Sequence, residues 1–299
     1  MRYLLVGFGN IGAKRRAALG DRCVATVDPV NPAADYRSPE DCAHDRYDAA
    51  ILAVPNQAKL ELLEFFLGLG KHVLIEKPLL FPDRLTVDRM ERIAADRGAI
   101  WYTAYNHRFE PLVLSLKRHL DLGAIGRIYH GRFLYGNGTV GNVVGTWRDE
   151  GLGVLDDLIP HLLDLAGYLV SIRNDDFVPV ALGRHEAKSF DHCILASADR
   201  RFILEAGFLS WKNSFGIELF GERGSIHLRG LVKWGPSELV LCKRVFPSGV
   251  PLETRETAQG PDATWARELE HFDDLAGSGH TSAENDWWIS RTVLEASAS

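Results

Sequence analysis

The chain has 299 residues, of which 46% are hydrophobic and 25% charged, and its formal net charge is −6. These values are typical of globular proteins of about two domains, and the acidic balance gives no electrostatic footprint for nucleic acid. No apolar run reaches the ~20 residues of a membrane helix, the four cysteines lack the paired spacing of a metal site, and a strand-like run begins at Arg2. The sequence therefore predicts a cytoplasmic protein without a signal peptide, a bound metal, or a membrane or nucleic-acid partner.

The amino-terminal segment carries a glycine-rich turn between a strand and a helix. Residues 2–6 and 23–27 predict buried strands, and residues 14–19 predict a helix between them. The turn consists of Gly7, Phe8, Gly9, Asn10, Ile11 and Gly12. Its glycines suit a tight turn, a close approach of the backbone to a pyrophosphate and close helix–strand packing, while the helix start offers N–H groups to phosphates. The segment therefore predicts a dinucleotide site.

The acidic residue that ends the second strand bears on the choice of dinucleotide. Asp28 stands ~20 residues into the unit, where a carboxylate accepts hydrogen bonds from an adenosine ribose. It favours NAD over NADP because it repels a 2′-phosphate. Lys14, Arg15, Arg16 and Arg37 are close enough in sequence to leave NADP open. The first three of them are interpreted as a solvated helix face beside the phosphate loop.

Strands continue to alternate with helices up to about residue 105. Residues 48–54, 71–75 and 99–104 predict strands, separated by predicted helices at 57–69 and 82–97. This order predicts parallel βαβ units, in which ligands bind beyond the carboxyl ends of the strands. The further cofactor-binding candidates there are Val54, Pro55, Asn56, Glu76, Lys77 and Asn106.

The pattern changes after residue 105. Helices are predicted at 108–120, 157–169, 263–275 and 283–296, and strands at 127–135, 179–186, 191–199, 201–211, 214–221, 224–230 and 238–245. We therefore expect a Rossmann domain over residues 1–105 and, over 106–299, an α+β domain with a large, mostly antiparallel sheet. A broad sheet with one face left to cover predicts a homodimer or homotetramer that assembles through it.

Two positions could carry acid–base chemistry. Lys77 leaves the fourth strand before Pro78, and a cation there can stabilise the alkoxide that develops as hydride leaves an alcohol carbon. Asp157 and His161 lie one helical turn apart, and imidazole is the natural base for removing a hydroxyl proton. Because Pro160 fits only the first turn of a helix, this helix is expected to begin near Asp156 or Asp157. Taken alone, Lys77 is also consistent with an exposed lysine paired with a carboxylate. The His–Asp pair is likewise consistent with a surface or capping contact.

Four motifs occur together in the order and spacing of one family. They are residues 7–12, 76–78, 105–109 and 151–161. The set resembles the glucose-fructose oxidoreductase/inositol dehydrogenase family, Gfo/Idh/MocA, over essentially the whole chain. The resemblance implies NAD(P)-dependent oxidation or reduction at a sugar or cyclitol carbon. It also implies that Lys77, Asp157 and His161 are the catalytic set.

The chain departs from the family pattern at three places. Lys59 stands where the family usually has histidine, a change that affects packing near the cofactor. The usual Gly-Gly before the catalytic helix is interrupted as Gly151-Leu152-Gly153, and Pro160 replaces a small or aliphatic residue. These two changes put the helix geometry in question, but not the chemistry.

The main functional hypothesis is hydride transfer between nicotinamide and a secondary alcohol carbon of a sugar. His161 would take the hydroxyl proton, Lys77 would polarise the oxygen, and Asp157 would orient His161 or bind a neighbouring hydroxyl. The further substrate-binding candidates are Asn106, Arg108, Trp147 and Arg148.

The substrate itself is predicted only by similarity to a subgroup. Three segments, 135–138, 146–148 and 233–236, are similar to family members of surface-polysaccharide synthesis, which implies a nucleotide-activated sugar. The alternatives are a free cyclitol or aldose dehydrogenase, a non-catalytic NAD(P)-binding regulator, and glycoside cleavage with tightly held NAD.

Overall fold

The computed structural model describes residues 1–173 and 176–299, except for the side chain of Trp147. The chain divides into two compact units, the first made of residues 1–106 and 265–291 and the second of residues 107–264 and 292–299. The sequence predicted a boundary after residue 105 and assigned everything beyond it to the second domain. Residues 265–291 instead belong to the first unit.

Helices and strands follow one another closely in both units. The strands are β1 (Tyr3–Val6), β2 (Cys23–Val27), β3 (Ala49–Leu52), β4 (His72–Glu76), β5 (Trp101–Ala104), β6 (Ile128–Gly136), β7 (Phe177–Gly183), β8 (His192–Ser197), β9 (Phe202–Gly207), β10 (Ser214–Gly221), β11 (Gly224–Arg229), β12 (Ser237–Val245) and β13 (Gly249–Ala258). The α-helices are α1 (Asn10–Leu19), α2 (Asn56–Gly68), α3 (Arg84–Arg97), α4 (Pro111–Asp121), α5 (Trp147–Glu150), α6 (Val154–Asp157), α7 (Ile159–Val170), α8 (Thr264–Leu275) and α9 (Ala283–Ser297).

The first unit is built on a parallel sheet, which confirms the predicted Rossmann fold. Within the described residues its strand order is β2-β1-β3-β4-β5, and every neighbouring pair is parallel. Because β1 lies between β2 and β3, the strand order reverses there. Open α/β sheets bind their ligands at such a switch point, beyond the carboxyl ends of the strands. The glycine turn follows β1 at this point.

Apolar strands are buried on both faces of this sheet. Successive residues of β1 alternate in direction, so Leu4 packs in one core with Phe66 of α2, while Tyr3 and Leu5 pack in another with Phe272 of α8. A strand that is covered on both faces has no solvent-exposed face for polar side chains. This explains why these strands are continuous apolar runs in the sequence.

The carboxy-terminal helices complete the first unit. Leu269 and Phe272 of α8 join the core that contains Tyr3, and Ala283 at the start of α9 joins the opposite core. The indole Nε1 of Trp101 donates a hydrogen bond to the Asp286 carboxylate at 3.0 Å. The sequence predicts both helices but not the sheet that they cover, because an amphipathic pattern does not identify the surface against which it packs.

The second unit contains a large, mostly antiparallel sheet, as predicted. Its described strands run in the order β13-β12-β11-β10-β6-β9-β8-β7. β6 pairs in parallel with β9, and the other neighbours are antiparallel. β13, which pairs with β12, was not predicted. It is an edge strand with almost every residue exposed, so it lacks the buried alternation that marks the other strands.

The helix that carries His161 is divided into two segments. α6 ends at Asp157, α7 begins at Ile159, and Pro160 occupies the first turn of α7. Proline has no N–H and is tolerated at this position because the first N–H groups of a helix have no partner within it. The predicted place of Pro160 is therefore correct, but Asp157 belongs to the preceding short helix.

No helix in residues 1–173 or 176–299 has both the length and the apolar character needed to cross a bilayer. The same residues contain no group of three or more His, Cys, Asp or Glu side chains that could hold a metal ion. The thiols of Cys23, Cys42 and Cys193 are buried, and burial raises the pKa of Cys193 to about 12. This cysteine is therefore a structural apolar group at neutral pH.

Candidate active site

The glycine turn after β1 has the shape required to receive a pyrophosphate. Gly7 has a φ of 92°, and a Cβ at this position would lie 2.3 Å from the carbonyl oxygen of Ala53. A Cβ on Gly12 would lie 2.0 Å from the carbonyl oxygen of Gly7. A Cβ on Gly9, by contrast, would have no described atom outside its own neighbourhood within 4 Å. Packing thus requires glycine at positions 7 and 12, while Gly9 faces open space at the start of α1.

The start of α1 is suited to an anion. Gly9 is its N-cap residue and supplies no side-chain acceptor to the first-turn N–H groups. Unsatisfied N–H groups and the positive end of the helix dipole together stabilise a phosphate. The residues present therefore fit a dinucleotide on structural grounds.

Asp28 organises this turn from the end of β2. One carboxylate oxygen accepts a hydrogen bond from Phe8 N at 2.7 Å, and the other accepts from Val30 N and Asn31 N at 2.9 and 2.8 Å. Partial burial would raise the pKa of Asp28, but the N–H donors of Asn31, Phe8 and Val30 lower it further, so the net shift is downward. Asp28 therefore stays ionised and keeps acceptor capacity for a ribose hydroxyl.

The other predicted cofactor residues of the first unit lie at strand ends. Val54 follows β3, and its side chain lies beside Gly7. Pro55 caps α2, and Asn56 begins it. Asn106 begins a short 3₁₀ turn after β5. The structure thus brings Val54 and the glycine turn together, and it places Asn106 at the carboxyl edge of the same sheet.

Glu76 is held by a buried arginine. Arg15 Nε donates to Glu76 Oε1 at 2.7 Å, and its Nη2 donates to Glu268 Oε2 of α8, also at 2.7 Å. The Arg15 side chain is only 2% exposed, and its guanidinium lies 4.3 Å from the ring centre of Trp265. The prediction that residues 14–16 form a solvated face is therefore wrong for Arg15. The Arg15 guanidinium lies in the interior of the domain, and its two ion pairs connect α1 to β4 and α8.

Lys77 follows β4 directly. Lys59 contacts Pro78, the residue that comes after Lys77. Lys59 is 2% exposed on α2, and its Nζ donates to the carbonyl oxygen of Pro78 at 2.7 Å. An ammonium buried in this way fixes the backbone that leaves β4 and carries Lys77. The residue that departs from the family pattern therefore has a structural role here.

The second unit surrounds His161 with aromatic and basic groups. The His161 ring lies 4.1 Å from the ring of His107 and 5.8 Å from that of Tyr135, measured between centroids. Lys233 Nζ lies 3.1 Å from the Tyr135 hydroxyl and 3.5 Å from His107 Nε2. Burial raises the pKa of Tyr135, and the nearby Asp157 charge raises it further, so its phenol stays protonated.

Asp157 and Arg148 form the charged part of this site. Arg148 Nε donates to Asp157 Oδ2 at 2.9 Å, and the carboxylate is 7% exposed. Asp157 thus carries a cationic partner that the sequence associated only with the substrate. Trp147, the neighbouring substrate candidate, begins α5, but its side chain lies outside the described residues.

Arg108 has a structural contact. Its Nε donates to Asp164 Oδ2 of α7 at 2.7 Å, and its Nη2 forms a second, shorter bond to Oδ1 of the same carboxylate. The Tyr168 ring centre lies 5.2 Å from its guanidinium carbon. A bidentate pair with a buried carboxylate fixes the turn that precedes α4 against α7. This geometry gives Arg108 a packing role, and its predicted contact with substrate stays a prediction.

Sequence reasoning missed the group that surrounds His161. His107, Tyr135 and Lys233 come from a 3₁₀ turn, β6 and a second 3₁₀ turn that are far apart in sequence. All three lie in segments that resemble family members, namely 105–109, 135–138 and 233–236, yet no spacing relates any of them to His161. Membership in these segments was the signal that could have identified them.

Comparison with known proteins gives a family match in the first unit. Residues 1–105 match the model of an oxidoreductase family with an NAD-binding Rossmann fold. The uncharacterized oxidoreductase YdgJ of Escherichia coli is 31% identical over 190 residues, which cover 62% of this chain and 54% of YdgJ. The chain thus spans about half the length of this curated relative.

Solved structures extend the likeness to both units. A levoglucosan dehydrogenase in complex with NADH and levoglucosan has a TM-score of 0.78 at 20% identity, covering 100% of this chain and 97% of that one. A mutant of KijD10, a 3-ketoreductase from Actinomadura kijaniata in complex with TDP-benzene and NADP, also scores 0.78, at 18% identity and with the same coverage. At these identities the likeness establishes the fold alone.

Proposed function

We propose that the chain is a member of the Gfo/Idh/MocA oxidoreductase family, whose model matches residues 1–105, and that it is an NAD(P)-dependent dehydrogenase that acts on a secondary alcohol carbon of a sugar. The observation that carries this proposal is the buried His161 ring, packed against His107 and Tyr135 beside the Asp157–Arg148 ion pair. An imidazole held in this way is suited to accept and return one proton.

Each proposed catalytic group has one task. In the oxidative direction His161 accepts the proton of the substrate hydroxyl, and in the reductive direction it returns that proton to the carbonyl oxygen. Lys77 donates a hydrogen bond to the same oxygen and stabilises its developing negative charge. Asp157, neutralised by Arg148, orients His161 or binds a neighbouring hydroxyl. The dinucleotide, when bound, takes up or supplies the hydride.

Two substrate classes are compatible with this chemistry. One structural relative was solved with levoglucosan and the other with TDP-benzene, so both a free sugar and a nucleotide-linked ligand occur among proteins of this fold. Activity should be tested with free cyclitols, aldoses, hexuronates and UDP-linked sugars, with NAD and NADP supplied separately. Reduction of the dinucleotide by one class would support the proposal. Tight dinucleotide binding with no turnover in the complete panel would favour a non-catalytic regulator.

The choice between NAD and NADP depends on the Asp28 charge. Asp28→Asn keeps one of the two oxygens that accept from this turn and removes the charge that opposes a 2′-phosphate. We expect the ratio of NADP to NAD affinity to rise by about tenfold, the effect of one partly screened charge contact. Fluorescence titration with both dinucleotides measures this ratio. Asp35→Asn is the matched control, because the Asp35 carboxylate binds Thr26 in the same segment. Equal shifts in the two variants would show that the Asp28 charge has no special effect.

The assembly is proposed to be a homodimer or homotetramer in the cytoplasm, formed through the sheet of the second unit. Leu134 on β6, Ile203 on β9 and Val178 on β7 are each 37% exposed on one face of this sheet. Apolar groups aligned on an open sheet face are typical of a subunit interface. Light scattering at micromolar concentration would give the mass, and a monomer would contradict the proposal.

A further inference from the structure

A cavity in the second unit lies next to Asp157, one of the proposed catalytic residues, and is distinct from the dinucleotide site of the first unit. Its volume is about 500 Å³, within the range of about 300–1,000 Å³ found for small-molecule sites. Arg148 lines it, and the same guanidinium is paired with Asp157. The cavity is therefore connected to the Asp157 carboxylate by the Arg148–Asp157 ion pair.

Two loops that are distant in sequence form the walls of this cavity. One follows β6 and the other connects β9 to β10, and backbone hydrogen bonds join them. Asn137 N donates to Gly207 O at 2.8 Å, Ser210 N donates to Asn137 O at 3.2 Å, and the Asn213 side chain accepts from Gly138 N at 2.9 Å. The walls are thus positioned before any ligand arrives, which reduces the entropic cost of binding.

The polar groups around the cavity suit an anion. Arg148 and Lys212 supply positive charge, and Asn137, Asn142 and Asn213 supply amides that can donate and accept hydrogen bonds. Among the described lining residues, none carries a carboxylate. Arginine and lysine side chains are the groups that proteins use most for phosphate oxygens.

Trp211 gives the cavity a flat apolar wall. Its side chain is 66% exposed, and its backbone has a φ of 54°, a conformation that bulky residues rarely adopt. An exposed indole held in an unfavourable backbone conformation is characteristic of a ligand-binding position. Indole rings stack on nucleic-acid bases irrespective of base identity.

We propose that this cavity binds the nucleoside diphosphate part of an activated-sugar substrate, with Lys212 and Arg148 on the phosphates and the base stacked on Trp211. The proposal rests on the function proposed above and names its substrate class. A single carboxylate or phosphate would be satisfied by the two cations alone, whereas the volume, the amides and the exposed indole together suit a larger ligand with a flat ring. The sugar would then extend from Arg148 towards Asp157.

The test is calorimetric titration of UDP into the full chain saturated with NAD, so that the dinucleotide site is already filled. Trp211→Ala and Lys212→Ala should each weaken UDP binding by about tenfold, corresponding to ~1.4 kcal/mol for one stacking or charge contact. Lys243→Ala is the matched control, because Lys243 is an exposed lysine of β12 that does not line the cavity. Thermal unfolding and NAD affinity would verify that each variant is folded.

Each outcome has a defined meaning. UDP binding that is weakened by both cavity variants and not by the control supports the proposal. No UDP binding, or binding that neither variant weakens, would overturn it. Hexuronate or inorganic phosphate binding as tightly as UDP would also overturn it, because the nucleoside would then contribute nothing. Failure to bind NAD, or silence with every sugar, would instead count against the proposed dehydrogenase, since the UDP titration does not depend on turnover.

Discussion

His161→Ala is expected to lower kcat by a factor of about 10²–10⁴, the usual contribution of a positioned acid–base group. The variant removes the imidazole that exchanges the substrate proton, and the neighbouring His107 imidazole, whose ring centre lies 4.1 Å from that of His161, is not at the position of the lost ring. NAD affinity should be unchanged, because the glycine turn and Asp28 belong to the other unit. Steady-state kinetics with the sugar identified in the panel, together with dinucleotide titration, would measure both quantities.

Two further variants make this test specific. Lys77→Met should also reduce kcat by orders of magnitude, because it removes the donor to the reacting oxygen while keeping a side chain of similar length. His185→Ala is the matched control, since His185 is an exposed imidazole between β7 and β8 and lies apart from the His161 ring contacts. Full activity in both His161→Ala and Lys77→Met would refute the catalytic assignment.

Arg15→Met is expected to lower the free energy of unfolding by about 3–5 kcal/mol, the usual cost of breaking a buried ion pair from one side. The substitution leaves the Glu268 carboxylate, which is fully buried, and that of Glu76, which is 15% exposed, without their shared cation. Burial lowers the pKa of Arg15, but the charges of Glu76 and Glu268 raise it further, so the guanidinium remains charged in the folded protein. Chemical denaturation would measure the loss.

The matched control for Arg15 is its neighbour on the same helix. Arg16 donates to the carbonyl oxygen of Gly20 at the exposed end of α1, so Arg16→Met should change stability by less than about 1 kcal/mol. Adding Glu268→Gln to Arg15→Met should recover part of the loss, because it removes one of the two carboxylate charges that share Arg15. Similar losses in the two arginine variants, with no recovery in the double variant, would contradict the ion-pair explanation.

Residues adjacent in the chain were enough to predict the parallel sheet of the first unit and most of the second sheet, but not that residues 265–291 belong to the first unit. The glycine turn, the buried strands and Asp28 are local features, since each depends on residues adjacent in the chain. Strand periodicity likewise predicted β7 to β12, because alternate burial repeats every second residue. β13 was missed for the same reason, since an exposed edge strand has no buried face to produce the pattern.

Tertiary structure alone decided which distant residues meet. Arg15 appeared to belong to a solvated basic run, but contacts with β4 and α8 place it in the interior. The sequence proposed Arg108 as a substrate contact, and only the folded chain shows that its guanidinium also pairs with Asp164. The sequence does not show whether the partner of a charged side chain is water, a ligand or a buried carboxylate. Only the folded chain brings together groups separated by tens or hundreds of residues, and those long-range contacts decide what each charge does.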